Sequence, residues 1–175
     1  NQTNSFSLLK DQLIKIQINP RNIIFSCFVH DLNNKEYLEV VKAQFTFIAN
    51  ILQAIDEGRE PFSNCKNLVF VVPMSINKDL ATCSGYFVLF KMLRQLVLNY
   101  IFKFGKKGIL CNFVSVGILE EGFGVRLGEK EKKDYLKHCS LKRFGKVTEV
   151  VDPILWLIRK NTLIQGQVLT IDGGL

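Results

Sequence analysis

Apolar residues along this chain fall into two alternating patterns. Short continuous runs alternate with longer stretches of helical spacing. The runs are 23–29 (IIFSCFV), 68–72 (LVFVV) and 109–114. Runs of this length, rich in β-branched and aromatic side chains, read as strands buried on both faces of a parallel sheet. A further strand is expected at 167–171. The intervals between runs have helical spacing. Residues 5–16 predict a short helix, ended by Pro20. Asn33 stands three residues before Glu36, a capping-box-like start for a helix over 36–56. Residues 58–67 read as loop. Pro73 stops the second strand, and a loop over 74–84 offers Thr82 and Ser84 as N-caps. The stretch 86–104 predicts a long helix, apolar nearly all round and ended by Gly105. Residues 130–138 predict a short charged helix. Thr148 is expected to cap a last helix over 149–160, with Pro153 tolerated near its first turn. Strands alternating with helices predict one α/β domain, a parallel sheet with helices on both faces.

Composition narrows the classes without choosing among them. At 175 residues and 47% apolar, the chain has material for one core. The net charge of +7 permits an anionic partner. The basic residues are spread out, with local density at 103–107 and 130–146. No aromatic–basic module accompanies them, so nucleic acid is not an expected partner. The apolar stretch 86–104 is interrupted by Lys91, Arg94 and Gln95, so no membrane span is expected. Cys27, Cys65, Cys83, Cys111 and Cys139 are widely spaced with no C-x-x-C, and His30 and His138 stand alone. This favours reduced thiols, no metal site, and an intracellular setting in cytoplasm or organelle matrix. The chain begins at Asn1 rather than Met, as expected of a start that is processed or cut.

The last stretch, LKRFGKVTEVVDPILWLIRKNTLIQGQVLTIDGGL, carries a more specific pattern. Arg143, Gly145, Glu149, Val150, Gly166, Gln167, Asp172, Gly173 and Gly174 resemble the C-terminal signature of the short-chain dehydrogenase/reductases, in the 3-oxoacyl-(acyl carrier protein) reductase branch. The resemblance is strong from residue 109 onward, moderate over 68–104 and weak before 60. It implies a Rossmann-like parallel sheet with flanking helices, truncated to the C-terminal part of that fold. The single domain 1–175 would then be N-terminally incomplete.

A reductase of this family needs a Gly-rich turn that brings backbone to the dinucleotide pyrophosphate. No T-G-x-x-x-G-x-G occurs here. The glycines Gly122, Gly124 and Gly128 have other spacing and read as a flexible loop. The resemblance places the N-N-A-G motif at Ser26, Cys27, Phe28 and Val29, keeping none of it. The family's helix Asn falls near Lys42. Its catalytic pair is a Tyr and a Lys four residues later, the Lys lowering the Tyr pKa for proton transfer to a carbonyl. Lys91 fits the Lys, but Phe87 holds the Tyr position and Tyr86 is displaced by one residue. The orienting Ser falls at Met74, with Ser75 one step late. If the chain is active, the set is Ser75, Tyr86 and Lys91, with NADP or NAD. Vestigial cofactor positions are Lys91, Asn112 and Gly117. Val116 replaces the family's Pro, and Glu120 and Glu121 occupy the region of its nicotinamide-contacting Thr.

The losses concentrate at chemistry while packing positions persist. The expectation is therefore a non-catalytic subunit with no cofactor and no metal. It would pair with itself or with an active homologue through helices 36–56 and 86–104 and the C-terminal strand. A 3-oxoacyl reductase whose N-terminal half lies outside this sequence is the first alternative. A basic accessory subunit touching RNA or acyl carrier protein is the second.

Overall fold

The computed structural model describes residues 11–12, 19–26, 34–73 and 84–175. Four parallel strands form one sheet in the order β1 (Asn22–Ser26), β2 (Asn67–Pro73), β3 (Leu110–Val116) and β4 (Val168–Ile171). Helix α1 (Asn34–Asp56) links β1 to β2 and helix α2 (Ser84–Lys106) links β2 to β3. Between β3 and β4 lie α3 (Phe123–Arg126), α4 (Glu129–His138) and α5 (Val147–Arg159). The predicted α/β class and parallel sheet are therefore present. Residues 11 and 12 are helical, inside the predicted 5–16 helix. The remainder of that helix, strand residues 27–29, Asn33 and the 74–83 part of the loop lie outside the described residues.

Pairing in register sets the two faces of the sheet. Phe25, Phe70, Phe113 and Val168 stand abreast, one on each strand. The Phe25 and Phe70 rings stack with centroids 4.7 Å apart and planes 8° from parallel. Phe70 and Phe113 follow at 5.2 Å. On this face α1 and α2 bury Ile48, Leu52, Phe90, Val97 and Phe104 against the ladder. On the other face α5 packs Val150, Ile154 and Leu157 against Val69, Val114 and Val116.

From Phe90 onward the long apolar helix finds much of its cover within the chain. Phe90, Leu93, Val97 and Phe104 face the sheet, and Leu96 and Tyr100 are half-buried against the same core. Leu98 and Ile101 meet the backbone of Gly166. A Cβ there would lie 2.6 Å from Ile101 Cδ1. The 161–167 loop thus meets part of the face that the sequence leaves in surplus, and Leu98 and Ile101 are half-buried there. Among the described side chains of α2, the large apolar groups still exposed are Met92 and Phe102, and Lys106 Nζ lies 4.4 Å over the Phe102 ring.

Several boundaries differ from expectation for identifiable reasons. Gly105 does not end α2. The turn comes at Gly108 (φ 67°), where Gly108 N–H donates to Gly105 O and Ile109 N–H to Phe104 O. These are the paired bonds of a Schellman cap. Thr148 does not cap α5. The Glu149 carboxylate accepts the Lys146 N–H at 2.8 Å, which starts the helix at Val147. Pro153 lies inside α5 rather than in its first turn, and the helix continues through it to Arg159. The Gly122–Gly128 stretch is not a plain loop, since α3 occupies its middle.

Phe70→Ala should test the ladder. It removes the central ring of the stack, a fully buried side chain. Chemical denaturation is expected to show a loss of about 3–5 kcal/mol. A change below 1 kcal/mol, roughly the size of a surface effect, would contradict the ladder's role.

Candidate functional site

The carboxyl ends of the strands, Ser26, Pro73, Val116 and Ile171, line one edge of the sheet. In open parallel sheets ligands are held at this edge. Above β3 and β4 it is built from residues 117–145 and the C-terminal tail. Gly117 N–H donates to Ile171 O at 2.9 Å. A Cβ on Gly117 would lie 2.7 Å from the Tyr135 hydroxyl and 2.8 Å from Asp172 Cα. Only glycine lets these segments close so tightly.

Tyr135 is the buried pin of this region. Its ring comes from α4, an otherwise charged helix, and stacks on Phe144 at 5.5 Å. Its hydroxyl accepts the Ile118 N–H at 3.3 Å and donates to Asp172 O at 3.1 Å. Burial pushes the phenol above its ordinary pKa, so it stays a donor at neutral pH. The tail is tied down beside it. Cys139 Sγ lies 3.3 Å from Gly173 O, Ser140 Oγ donates to Gly174 O at 2.7 Å, and Asp172 Oδ1 accepts Gly174 N–H at 2.9 Å. Gly173 and Gly174 have φ of 69° and 77°, backbone that favours glycine. Together these groups enclose a cavity of about 80 Å³ bordered by Arg143, Glu149 and Asp172.

Arg143 and Glu149 close that cavity with a two-pronged ion pair, 2.8 and 2.6 Å. The Arg143 guanidinium, together with the Lys146 N–H, holds the Glu149 carboxyl down at about 2, against an ordinary 4.5. This is a structural clasp joining the loop to the start of α5. Gly145 pairs beside it. Its N–H donates to Ile118 O and its carbonyl accepts from Glu120 N–H, at 3.0 and 2.8 Å.

Among the described residues, those singled out by sequence do not converge. Asn112 is buried, and both ends of its amide are engaged. It donates to Ile164 O at 2.8 Å and accepts from Gln167 N–H at 3.1 Å. Asn112 therefore clamps the 161–167 loop. It belongs to the α5 face of the sheet, whereas Lys91 is an exposed residue of α2, on the opposite face. The backbone of α2 is continuous α-helix from Ser84 to Lys106, which contains Tyr86 and Phe87. Their side chains, and Met74 and Ser75, lie outside the described residues. Ser26 ends β1 in an exposed position, and Lys42 pairs with Glu39 at 2.9 Å. Glu120 and Glu121 are exposed. Cys65, Cys111 and Cys139 are free and buried, and burial pushes the Cys65 thiol up to about 12. Such a thiol is protonated at neutral pH and is no nucleophile. Among the described residues no group of His, Cys, Asp and Glu is placed to hold a metal ion, and no helix is long and apolar enough to cross a membrane.

Residues 22–175 match the family model described as enoyl-(acyl carrier protein) reductase. The chain belongs to the short-chain dehydrogenase/reductases, as the 3-oxoacyl reductase-like resemblance of its C-terminal residues implied. It is similar to the 3-oxoacyl-[acyl-carrier-protein] reductase FabG of Buchnera aphidicola (subsp. Acyrthosiphon pisum), 36% identical over 70 residues. That match covers 39% of this chain and 29% of the relative, so it spans less than a third of the relative's length. FabG of Thermotoga maritima is 39% identical over 70 residues, covering 39% of this chain and 28% of the relative. Among solved structures, the fold is similar to a 7α-hydroxysteroid dehydrogenase complexed with NADH and 7-oxo glycochenodeoxycholic acid. The TM-score is 0.79 at 14% identity, with 99% of this chain and 70% of that one covered. The 3-oxoacyl-[acyl-carrier protein] reductase of Brucella melitensis gives 0.77 at 14% identity, covering 97% and 68%. At these identities the structures share the fold.

Tyr135 was not singled out from the sequence. The available signal was a lone aromatic in an otherwise charged helix. Tyr135→Phe should strand the Ile118 N–H and the Asp172 carbonyl. Denaturation is expected to show a loss of about 1–3 kcal/mol, and no loss would show that the hydroxyl bridge is not structural. The clasp makes a separate prediction in pH. Because the folded pKa of Glu149 is depressed, its stabilisation is present above the unfolded value near 4.5 and lost as pH falls toward 2. Glu149→Gln is expected to lower Tm at pH 7, and the gap to wild type should close through that acid window. A gap independent of pH would sink the assignment.

Proposed function

We propose that this chain is a non-catalytic short-chain dehydrogenase/reductase that acts as a subunit of an oligomer. The observation that carries the reading is the register on α2. Phe87 stands four residues before Lys91 on a helix that is continuous from Ser84. At about 100° per residue, positions four apart lie roughly 40° from each other around the axis, and positions five apart roughly 140°. Position 86 therefore lies on a different side of the helix axis from position 91, and position 87, the one in the family's spacing, holds a phenylalanine with no hydroxyl to pass a proton. The engaged amide of Asn112 supports the same reading, as does the close packing of Gly117 on Asp172 and Tyr135. Both serve the packing of the chain on itself.

The oligomeric part rests on where apolar surface remains. Among the described side chains of α2, the exposed ones are polar apart from Met92 and Phe102. The larger exposed set lies on α5, β4 and the loop between them: Val151, Trp156, Leu163, Ile164 and Leu169. Leu163 is 88% exposed. Beside them runs an apolar groove of about 680 Å³ between Pro153, Trp156 and Leu169. Exposed apolar clusters of this kind mark association surfaces. We place the main contact at the C-terminal strand and α5, with a copy or an active homologue as partner.

A 3-oxoacyl reductase formed with additional chain is the second reading, favoured by the FabG relatives. Titration of the isolated chain with NADPH, followed by a carbonyl-reduction assay, separates the two. No saturable binding in the micromolar range and no turnover are expected. Saturable binding, with turnover that Tyr86→Phe abolishes, would overturn the non-catalytic reading and make Tyr86 the acid.

A further inference from the structure

The strands begin at the edge of the sheet opposite the site, with Asn22, Asn67, Leu110 and Val168. The long helices run back from the carboxyl edge and end here, α1 at Asp56, α2 at Lys106 and α5 at Arg159. This amino edge is basic. Lys66 N–H donates to Arg21 O at 2.7 Å and Leu110 N–H to Lys66 O at 2.8 Å, which sets Arg21 and Lys66 abreast at the start of β1 and β2. Both are exposed, as are Lys106 at the end of α2 and Lys160 just past α5. None of these four cations has a carboxylate partner among the described residues. The described acids of this edge are already engaged. Asp56 pairs with Lys103 at 3.1 Å and Lys107 at 3.0 Å, Glu57 pairs with Arg59, and Glu60 accepts from Asn19 at 3.1 Å and Ser63 at 2.6 Å. A cation in the last turn of a helix answers the helix dipole, which accounts for Lys106. Arg21 and Lys66 precede strands and have no such role on their own elements.

The same edge carries the two most exposed large apolar side chains among the described residues, Leu163 at 88% and Phe102 at 72%. Phe102 lies one turn before the end of α2, with Lys106 Nζ 4.4 Å over its ring. Leu163 stands in the loop from α5 to β4, where Asn161 Oδ1 accepts the N–H groups of Leu163 and Ile164 at 3.1 and 2.8 Å. That loop is seated on the start of β3. The Gln165 amide donates to Ile109 O at 3.1 Å, and its Oε1 accepts Cys111 N–H at 2.7 Å. Each apolar tip thus has cations next to it along the chain, Lys103 and Lys106 for Phe102 and Lys160 for Leu163.

We propose that the amino edge is a peripheral docking face for a bilayer that contains anionic lipid. Arg21 and the lysines meet the charged headgroups, and Phe102 and Leu163 enter the boundary between headgroups and acyl chains. Lysine suits this arrangement, since its stem lies along apolar surface while the ammonium stays in the headgroup layer. A nucleic acid would answer the charge alone, because an exposed leucine gains nothing from a phosphate backbone. Anionic lipid answers the charge and both apolar tips together. The inference goes beyond the subunit reading and stands whether or not the chain is catalytic. It also turns the carboxyl edge away from the bilayer.

Vesicle flotation tests it, with vesicles of phosphatidylcholine alone and of phosphatidylcholine mixed with phosphatidylserine. The chain is expected to float with the mixed vesicles and not with the neutral ones, and added salt should weaken binding. Lys66→Glu, Lys106→Glu and Lys160→Glu together should lower the partition coefficient at least about a hundredfold, at roughly fivefold per cation lost. Lys130→Glu, Lys133→Glu and Lys137→Glu on α4 change net charge equally. They should cost less than about tenfold, because the length of the sheet, well over a Debye length, separates them from the bilayer. Phe102→Ser with Leu163→Ser alters no charge and should still lower partitioning at least about tenfold. All these positions but Lys103 and Lys107, which are left intact, lack ion-pair partners or buried contacts, and circular dichroism checks that each variant keeps the fold. Serine variants that bind as wild type would reduce the effect to adsorption by charge and overturn the docking face. So would α4 variants that lose as much as the amino-edge ones, or a chain that floats equally with both vesicles or with neither. A duplex oligonucleotide bound more tightly than the anionic vesicles, and released by the same lysine changes, would overturn it in favour of nucleic acid.

Discussion

The constraint on which the rest depends is the row of phenylalanines across the sheet. Phe25, Phe70 and Phe113 come from segments far apart in sequence and meet only when β1, β2 and β3 pair in one register. A slip of one residue would send every ring to the opposite face, where α5 presents aliphatic side chains fitted to valines. Register and helix placement are thus coupled. The rings need the double layer of α1 and α2 above them, and the valines need the single helix α5 below. Once the register is set, the carboxyl ends of the strands fall at one edge and the loops above them have a fixed base.

At that edge, residues that the family resemblance associates with a cofactor are engaged in packing. Gly117 is needed because the Tyr135 hydroxyl and the backbone of Asp172 press on it. Gly173 and Gly174 are needed because the tail turns back under Ser140 and Leu141. The Arg143–Glu149 clasp then joins this floor to the first turn of α5. One set of hydrogen bonds therefore couples the loop, the tail and the helix that covers the sheet. A change in any of the three is felt by the others, as expected for members of one network.

The parallel sheet was legible because its strands are buried on both faces, which leaves continuous apolar runs that no surface helix needs. The helix that follows β2 was legible in extent but not in surroundings. Its apolar positions suggested a face for a partner, yet Leu98 and Ile101 are half-buried against the 161–167 loop through Gly166 and a side-chain clamp from Asn112. Cover by a loop leaves no periodicity to read. The cap of α5 was misplaced for a similar reason. Thr148 has the right chemistry for an N-cap, but Glu149, already ordered by Arg143, reaches back to Lys146 and starts the helix earlier. The α4 pin was invisible because a tyrosine in a charged helix carries no sign of the carbonyl it will meet 37 residues later.

Among the described side chains, more apolar surface is exposed on α5, β4 and the loop between them than on α2, which bears on the subunit reading proposed above. A contact built on α2 would have to bury the cations Lys91, Arg94 and Lys103, the last paired with Asp56 of α1 at 3.1 Å. Burying such charges is costly unless the other surface supplies the acids. On α5 the exposed Val151 and Trp156 lie beside Asp152 and Arg159, charges of opposite sign. Because α5 and β4 are held by the phenylalanine register and the Arg143 clasp, the non-catalytic reading proposed above does not require a bound cofactor to keep that part of the fold in place.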